Sequence, residues 1–175
     1  MIITNRPKAF VLKRAEKFET PSYILEKGWQ ENLSELFSVL QRHKIDLIVL
    51  AGFMQLIPSE LVKQFKGQII NIHPALLPNY GGKGMYGMNV HKAVKMASEK
   101  ETGITIHQVN EQYDKGKIIF QAKTTLNPSD TEEDIQKKVQ KLEHLYFSKV
   151  IEKYIFWLNQ KHQQKLPFAI EELPA

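Results

Sequence analysis

The feature that most constrains the fold is the continuous apolar run Leu47–Ala51, which lies between Asp46 and Gly52. A strand with one solvated face alternates apolar and polar residues, whereas a strand covered on both faces is apolar throughout, as in a parallel sheet. Further short apolar runs alternate along the chain with amphipathic stretches, of which Phe10–Phe18 and Leu33–Leu40 have helical spacing. This alternation predicts an α/β domain with a mostly parallel sheet flanked by helices.

The composition indicates one globular domain. No Pro/Gly/Ser-rich linker divides the 175 residues, so we expect a single domain over residues 1–175, with a loosely held polar tail after about residue 160. The chain has no cysteine, which excludes a disulfide framework, a zinc–cysteine module and a cysteine nucleophile.

No stretch of the sequence approaches the ~18 apolar residues of a membrane span. Asn5-Arg6-Pro7 interrupts the apolar start before a signal-peptide core could form, so we expect a cytoplasmic protein.

The charge balance does not favour a nucleic-acid or membrane partner. The chain has 24 basic and 19 acidic residues, a net charge of +5 and a sequence pI near 9.2. The basic residues are scattered, and the densest group, Lys137, Lys138 and Lys141, is interleaved with acidic residues. This pattern is typical of solvated helix faces more than of a polyanion-binding surface. We expect small-molecule substrates, and a monomer or a homodimer.

Polar side chains follow two predicted strands in positions that no core requires. Asn71 and His73 are two residues apart, so on an extended strand both point the same way, and Pro74 keeps His73 extended. An amide and an imidazole aimed at one space could stabilise an oxyanion, although by themselves such residues more often make local hydrogen bonds. Asp114 lies in the loop Asn110–Gly116, which by itself is typical of a hairpin turn with glycine at a left-handed position. A carboxylate beside a histidine could also orient the ring and raise its pKa.

Taken together, these segments resemble the formyltransferase family. The resemblance is carried by Asp46–Met54, by the motif N-I-H-P-A-L-L-P at Asn71–Pro78, by Gly103–His107, by D-K-G-K-I-I at Asp114–Ile119 and by Gln140–His144. Order and approximate spacing hold over roughly residues 1–155. The resemblance implies a Rossmann-like fold and transfer of a formyl group from 10-formyltetrahydrofolate to the amine of glycinamide ribonucleotide in purine synthesis, with no metal.

The family's functional residues transfer to matching positions of this chain. Asn71 and His73 would polarise the formyl oxygen and hold the oxyanion, while Asp114 would keep His73 charged and help move the amine proton. The resemblance further implies that Glu143 and Pro74 contact the nucleotide, Glu143 through the ribose hydroxyls. The implied folate pocket comprises Leu50, Met54, Gln55, Leu56, Ile57 and Val62, together with the backbone of Val109, Asn110, Glu111, Gln112 and Tyr113.

For two further features, the sequence indicates a structural role rather than a catalytic one. His107 is expected to pack behind the site, and Gly81-Gly82-Lys83-Gly84 lacks the strand–loop–helix context of a phosphate cradle, so we interpret it as a flexible flap over the substrate. A leading strand, a phosphate-binding G-x-G-S/T-N loop and a helix that family members carry before the segment resembling Met1–Phe18 have no counterpart here. We therefore expect either a fragment of a longer product with a misplaced start, or two flanking strands that close on each other. If the chain is complete as written, we expect weak substrate binding, poor stability or help from a partner chain.

Three alternative functions remain open at this point. Formyltetrahydrofolate hydrolase shares the Asn–His–Asp set but releases formate to water, and usually adds a regulatory domain. Methionyl-tRNA formyltransferase is longer and carries a tRNA-binding domain, so the length argues against it. A non-catalytic folate- or nucleotide-binding remnant is the third alternative.

Overall fold

A computed structural model describes residues 1–160 of the chain. The predicted loosely held tail after residue 160 lies outside the described residues. The chain divides into two compact units, the first comprising residues 1–46 and the second beginning at Leu47. We describe each unit by itself.

The first unit contains two short parallel strands and two helices. Its elements are β1 (Ile2–Thr4), α1 (Phe10–Lys17), β2 (Ser22–Ile24) and α2 (Ser34–Arg42). β1 pairs with β2, and Ile3 lies opposite Tyr23. Leu36, Val39 and Leu40 form the buried face of α2, as their three- and four-residue spacing predicts.

Within residues 47–160, the second unit contains a four-stranded sheet and three helices. Its elements are β3 (Ile48–Leu50), α3 (Ser59–Gln64), β4 (Ile69–His73), α4 (Met88–Met96), β5 (Glu101–Gln108), β6 (Ile118–Thr125) and α5 (Glu132–Asn159). The strand order is β3-β4-β5-β6. β3 and β4 are parallel, whereas β5 is antiparallel to both β4 and β6.

The predicted α/β fold with parallel strands flanked by helices is confirmed. The apolar pattern did not reveal that some of the strand pairings are antiparallel. Two of the four strand pairings are parallel, β1–β2 and β3–β4, and the other two are antiparallel. The β5–β6 pairing is antiparallel because the loop between these strands is too short for a parallel crossover, which needs a dozen or more residues. β3 is also shorter than the apolar run Leu47–Ala51, and the extended backbone does not continue through Gly52, which has a positive φ of 66°.

The core of the second unit lies between the sheet and helix α5. Ile70 and Ile72 of β4 pack in one cluster with Ile104 and Ile106 of β5, and α5 contributes its buried side chains to the same cluster. The α5 members are Ile135, Val139, Val150 and Tyr154. Burying each aliphatic side chain contributes about 1.5–3 kcal/mol, so α5 is held mainly by this contact.

Helix α5 begins at a capping box. Ser129 and Asp130 precede the helix and are also common N-cap residue types, but the N-cap is Thr131, in a capping box with Asp134. The Thr131 hydroxyl accepts a hydrogen bond from the Asp134 N–H at 3.2 Å, and the Asp134 carboxylate accepts one from the Thr131 N–H at 3.1 Å. Asp130 is not available as the cap because its carboxylate closes the preceding turn, where it accepts hydrogen bonds from the Asn127 N–H and from Lys138.

None of the helices within residues 1–160 is both long enough and apolar enough to span a membrane.

Candidate active site

A cavity of about 640 Å³ opens beyond the carboxyl ends of the parallel strands β3 and β4. This is the edge at which open α/β sheets bind their ligands. The volume lies within the range of about 300–1,000 Å³ that small-molecule sites occupy. Of the residues predicted from the sequence, its wall includes Asn71, His73, Pro74, Asp114, Glu143, Leu50, Met54, Gln55, Leu56, Ile57, Val109, Asn110, Gln112 and Tyr113.

Two predicted residues do not line this cavity. Val62 is buried in α3 with 8% of its surface exposed, so it belongs to the buried core. The Glu111 carboxylate lies 3.9 Å from the Lys63 ammonium, and both side chains are exposed. These two residues are near cavity-lining residues in the sequence, but they do not line the cavity themselves.

Strand β4 brings Asn71 and His73 to the cavity. Residues 69–73 form a strand, so residues two apart share a face, and the adjacent Pro74 also lines the cavity. His73 is 3% exposed. Its Nε2 donates a hydrogen bond to the main-chain oxygen of Tyr80 at 2.8 Å, and its Nδ1 lies 3.6 Å from Asp114 Oδ2.

Asp114 reaches the cavity from the loop between β5 and β6. Its side chain is 12% exposed, and Oδ2 accepts a hydrogen bond from the Gly82 N–H at 2.8 Å. Oδ1 lies 3.5 Å from His107 Nε2. The carboxylate is therefore enclosed by two imidazoles and one main-chain donor, which join three separate parts of the chain.

The loop that carries Asp114 differs from the predicted turn. Asp114 itself takes the left-handed conformation, with φ 54°, a region that Asp tolerates better than most residues. Gly116 is required for a different reason: a Cβ at this position would lie 1.6 Å from the Gln108 carbonyl oxygen. The glycine allows close backbone approach rather than a positive φ.

His107 does more than pack behind the site. It lies directly opposite Asn71 in the β4–β5 ladder and is 2% exposed. Its Nδ1 donates to the Gln108 carbonyl at 2.8 Å, so in the neutral ring Nε2 accepts the hydrogen bond from Asn71 Nδ2 at 3.1 Å. This bond orients the Asn71 amide and leaves its second N–H free to act as a donor. Sequence reasoning missed this role because the signal, a polar residue among apolar ones in Gly103–His107, does not reveal which strand it faces.

The segment after His73 is held by a buried hydroxyl that sequence reasoning also missed. Thr105 Oγ1 donates to the Ala75 carbonyl at 2.7 Å and accepts from the Leu77 N–H at 2.9 Å. Gln121 Nε2 donates to the same hydroxyl oxygen at 2.9 Å and to the Leu77 carbonyl at 2.9 Å. Strands β5 and β6 thus fix the course of the chain that leads from His73 to Tyr80.

Two effects oppose each other at the His73 imidazole. Burial disfavours its charged form, whereas Asp114 and the Tyr80 carbonyl favour it, and the pKa of His73 is lowered because burial is the larger effect. Asp114 therefore favours the charged form of His73, but its effect on the pKa is smaller than that of burial.

The Asp114 carboxylate is held ionised. Burial by itself would raise its pKa, but contact with His107 and the hydrogen bond from the Gly82 N–H counteract this effect, and the pKa of Asp114 lies below its ordinary value.

Glu143 lines the cavity from helix α5. Burial raises the pKa of this carboxyl, and the neighbouring His144 only partly counteracts the effect. Within residues 1–160, the cavity wall also contains one lysine, Lys83, and the buried His91 of α4.

The arrangement suits addition to a carbonyl better than covalent catalysis. One end of the cavity presents an amide N–H, an imidazole and an ionised carboxylate, which can stabilise a developing oxyanion and move a proton. No serine, threonine or cysteine is among the described residues that line it. The wall formed by Leu50, Met54 and Leu56–Ile57 offers an apolar slot for a flat ring, beside the backbone of Val109–Tyr113. In the described part of the chain, no group of three or more His, Asp or Glu side chains is placed to hold a metal ion.

Comparison with known proteins gives a consistent result. A family model described as formyl transferase matches residues 1–151. The chain is 40% identical over 156 residues to the chloroplastic phosphoribosylglycinamide formyltransferase of Arabidopsis thaliana, which covers 86% of this chain and 53% of that protein. It is 37% identical over 168 residues to the phosphoribosylglycinamide formyltransferase of Bacillus subtilis, with 94% of this chain and 83% of that protein covered.

A solved structure agrees with these sequence relatives. The phosphoribosylglycinamide formyltransferase of Coxiella burnetii superposes with a TM-score of 0.78 and 35% identity, covering 87% of this chain and 71% of that one. The chain spans about half the length of the plant relative, and more of the bacterial ones.

Proposed function

Because the chain belongs to the formyl transferase family, we propose that it transfers the formyl group of 10-formyltetrahydrofolate to the amine of glycinamide ribonucleotide, a step of de novo purine synthesis. The observation that supports this most is the convergence of Asn71, His73 and Asp114 at one end of a cavity with an apolar wall. The names of the plant and bacterial relatives support the choice of substrate.

The proposed reaction needs positioning and oxyanion donors rather than a nucleophilic side chain. The neutral amine attacks the formyl carbon, a C–N bond forms and the formyl oxygen becomes an oxyanion. The free N–H of Asn71 and the protonated ring of His73 stabilise that oxyanion. The amine proton passes by way of Asp114 to the departing folate nitrogen as its C–N bond breaks, so no atom or proton is left over.

The cavity wall offers complementary places for the two substrates. The pterin ring fits the apolar slot at Leu50, Met54 and Leu56–Ile57, where main-chain groups of the loop Val109–Tyr113 can pair with its edge. Glu143 can accept hydrogen bonds from ribose hydroxyls, and within residues 1–160 no hydrogen bond already occupies its carboxylate. Holding both substrates in one cavity removes much of the entropic barrier of a two-substrate reaction.

One assay distinguishes the candidate activities. The purified protein is incubated with 10-formyltetrahydrofolate, with and without glycinamide ribonucleotide, and both formylated product and formate are measured. We expect formyl transfer only when the amine is present. Formate release that does not depend on the amine would indicate a hydrolase, and folate binding without either product would indicate a non-catalytic protein; both results contradict the proposal.

Substitutions at the convergent residues test the assigned roles. We expect His73→Ala and Asp114→Ala each to lower kcat by about 10²–10³-fold, the usual cost of removing a group that stabilises the transition state. Both variants should retain the far-UV circular dichroism of the wild type. His43→Ala is the matched control, because His43 is exposed and is not among the residues that line the cavity. Near wild-type turnover in either site variant contradicts the assignment.

A further inference from the structure

We propose that Tyr80 is a positioning residue, which holds the Nε2–H of His73 with its main-chain carbonyl and leaves Nδ1 as the nitrogen that acts on the substrate. The reaction in this inference rests on the proposed function, whereas the hydrogen-bond geometry does not. Tyr80 is not among the residues that line the cavity, so it acts through His73.

The first step of the argument is the hydrogen bond between His73 and Tyr80. Nε2 lies 2.8 Å from the Tyr80 carbonyl oxygen. A carbonyl oxygen can only accept a hydrogen bond, so Nε2 carries a hydrogen whether the ring is neutral or charged. The proton that is gained or lost must therefore be the one on Nδ1.

The second step is the position of that other nitrogen. Nδ1 lies 3.6 Å from Asp114 Oδ2, which is close enough for charge attraction but longer than a hydrogen bond. A proton on Nδ1 is thus stabilised by Asp114 without being fully engaged by it. It remains available to a formyl oxygen in the cavity that His73 lines.

The third step explains why the Tyr80 carbonyl points at His73. Tyr80 has φ 57°, in the left-handed region that residues other than glycine seldom adopt, so its carbonyl direction depends on external support. Its hydroxyl donates a 2.6 Å hydrogen bond to Glu99 Oε1. Glu99 follows helix α4 and is anchored there by its own N–H, which bonds the Val94 carbonyl at 3.4 Å. The side chain thus anchors the tyrosine to the end of a helix.

The fourth step is that the same short loop holds the partner of His73. Two residues after Tyr80, the Gly82 N–H donates to Asp114 Oδ2 at 2.8 Å. At Gly81, a Cβ would lie 2.5 Å from Leu77 Cδ2 and 3.1 Å from Asp114 Cβ, so this segment is closely packed against the carboxylate. Displacing Tyr80 would therefore change the direction of His73 and its distance from Asp114 together.

The experiment combines ¹⁵N NMR of histidine-labelled full-length protein with steady-state kinetics. Tyr80→Phe removes only the hydroxyl, and Glu99→Gln keeps an acceptor oxygen for it. Tyr23→Phe is the matched control, since the Tyr23 hydroxyl is also hydrogen-bonded to a glutamate, Glu35, and Tyr23 does not line the cavity. The His73 signals are assigned by their loss in His73→Asn.

We expect neutral His73 of the wild type to be the Nε2–H tautomer, and we expect His73 of Tyr80→Phe to populate both tautomers.

In the kinetics, Tyr80→Phe should lower kcat by about threefold to tenfold, the factor that corresponds to one hydrogen bond, with the KM values of both substrates within about twofold of the wild type. Its pH profile should also shift to lower pH, because the Tyr80 carbonyl favours the charged ring. The other ionisable groups around His73, namely Asp114, His107 and His91, are unchanged in this variant. Glu99→Gln should retain most of the wild-type rate, and Tyr23→Phe should match the wild type.

The results that overturn the inference are distinct from those that overturn the proposed function. A wild-type His73 in the Nδ1–H tautomer contradicts the assignment of the acting nitrogen. Kinetics of Tyr80→Phe that are no different from those of Tyr23→Phe contradict the positioning role. If neither the wild type nor any variant transfers formyl to glycinamide ribonucleotide, the proposed function fails. The ¹⁵N spectrum still tests the inference in that case, because it reports which nitrogen of His73 carries the proton.

Discussion

The side chains to which we assign the reaction are each oriented by a hydrogen-bond partner within the protein. The Asn71 amide is held by His107, the His73 ring by the Tyr80 carbonyl, and the Asp114 carboxylate by the Gly82 N–H. Such contacts orient donors before the substrate arrives, so no reorganisation is needed when charge develops.

The same burial that shapes the site makes the stability of the protein depend on pH through His91. This residue of α4 is 3% exposed, and its Nδ1 has no hydrogen-bond partner within the described chain. Burial, and then repulsion from His73, lower the pKa of His91. An unfolded histidine has a pKa of about 6.5, so below that pH the unfolded chain binds a proton that the folded protein does not. We expect the free energy of unfolding to fall as the pH decreases from 7.5 to 5.

Urea unfolding at several pH values checks this expectation. His73 contributes a slope of the same sign, because its pKa is also lowered. Asp114 does not contribute in this range, since its pKa lies below its ordinary value and its ionisation is lost only under more acidic conditions. His91→Leu should reduce the slope of unfolding free energy against pH whatever it does to stability at pH 7.5. An unchanged slope in this variant contradicts the argument.

At the scale of the elements, helix ends and close strand contacts decide where the site residues lie. Thr131 and Asp134 begin α5 through reciprocal hydrogen bonds, and this helix carries Glu143. Gly116 lets the loop that carries Asp114 pass close to the Gln108 carbonyl. The capping box stabilises the whole of helix α5. Gly116 instead determines the path of the few residues around Asp114.

Two substitutions separate these effects. Thr131→Ala should lower the free energy of unfolding by about 1 kcal/mol, the usual cost of a lost N-cap, with kcat unchanged.

Gly116→Ala should lower the free energy of unfolding by about 2–3 kcal/mol, because the added Cβ overlaps a main-chain oxygen, and should also lower kcat by displacing Asp114. Thermal melting and the formyl-transfer assay measure both effects. A Gly116→Ala variant with wild-type kcat shows that the loop path does not govern the position of Asp114.

For the second unit as a whole, Tyr154 joins parts of the chain that are distant in sequence. Its ring is fully buried in α5, its hydroxyl donates to the Gly67 carbonyl at 2.6 Å, and it accepts a hydrogen bond from Gln108 Nε2 at 2.8 Å. The hydroxyl thus connects α5 with the turn before β4 and with the end of β5. Burial raises the pKa of Tyr154, so the group is a neutral donor at physiological pH.

Removing this hydroxyl tests how much the connection stabilises the unit. Tyr154→Phe should lower the free energy of unfolding by about 1–3 kcal/mol, because it leaves the partly buried Gly67 carbonyl and Gln108 amide without their partner. Tyr146→Phe is the matched control, since Tyr146 packs against Phe120 at a ring distance of 5.2 Å and its hydroxyl has no hydrogen bond within residues 1–160. The control should change stability by no more than about 0.5 kcal/mol. Equal losses in urea unfolding show that the hydroxyl is not the stabilising group.

The sequence by itself determined those features that depend on local spacing. An apolar run followed by glycine predicted β3, alternation placed Asn71 and His73 on one face of β4, and the formyltransferase-like motifs pointed to Asp114 and to most of the cavity wall. The first two features follow from the two-residue period of strands and from neighbouring residues, so no distant contact is needed to predict them. Asp114 and the cavity wall were instead implied by the resemblance to the family.

Only the tertiary structure decided what stands behind those residues. His107 faces Asn71 because β4 and β5 pair in one register, and a shift by one residue would turn it to the other face of the sheet. The Gly82 N–H meets Asp114 across 32 residues of sequence. Val62 and Glu111, which are near the site in sequence, lie outside the cavity wall. The reason is that local periodicity determines the face on which a side chain lies, whereas long-range pairing and loop paths determine which faces meet.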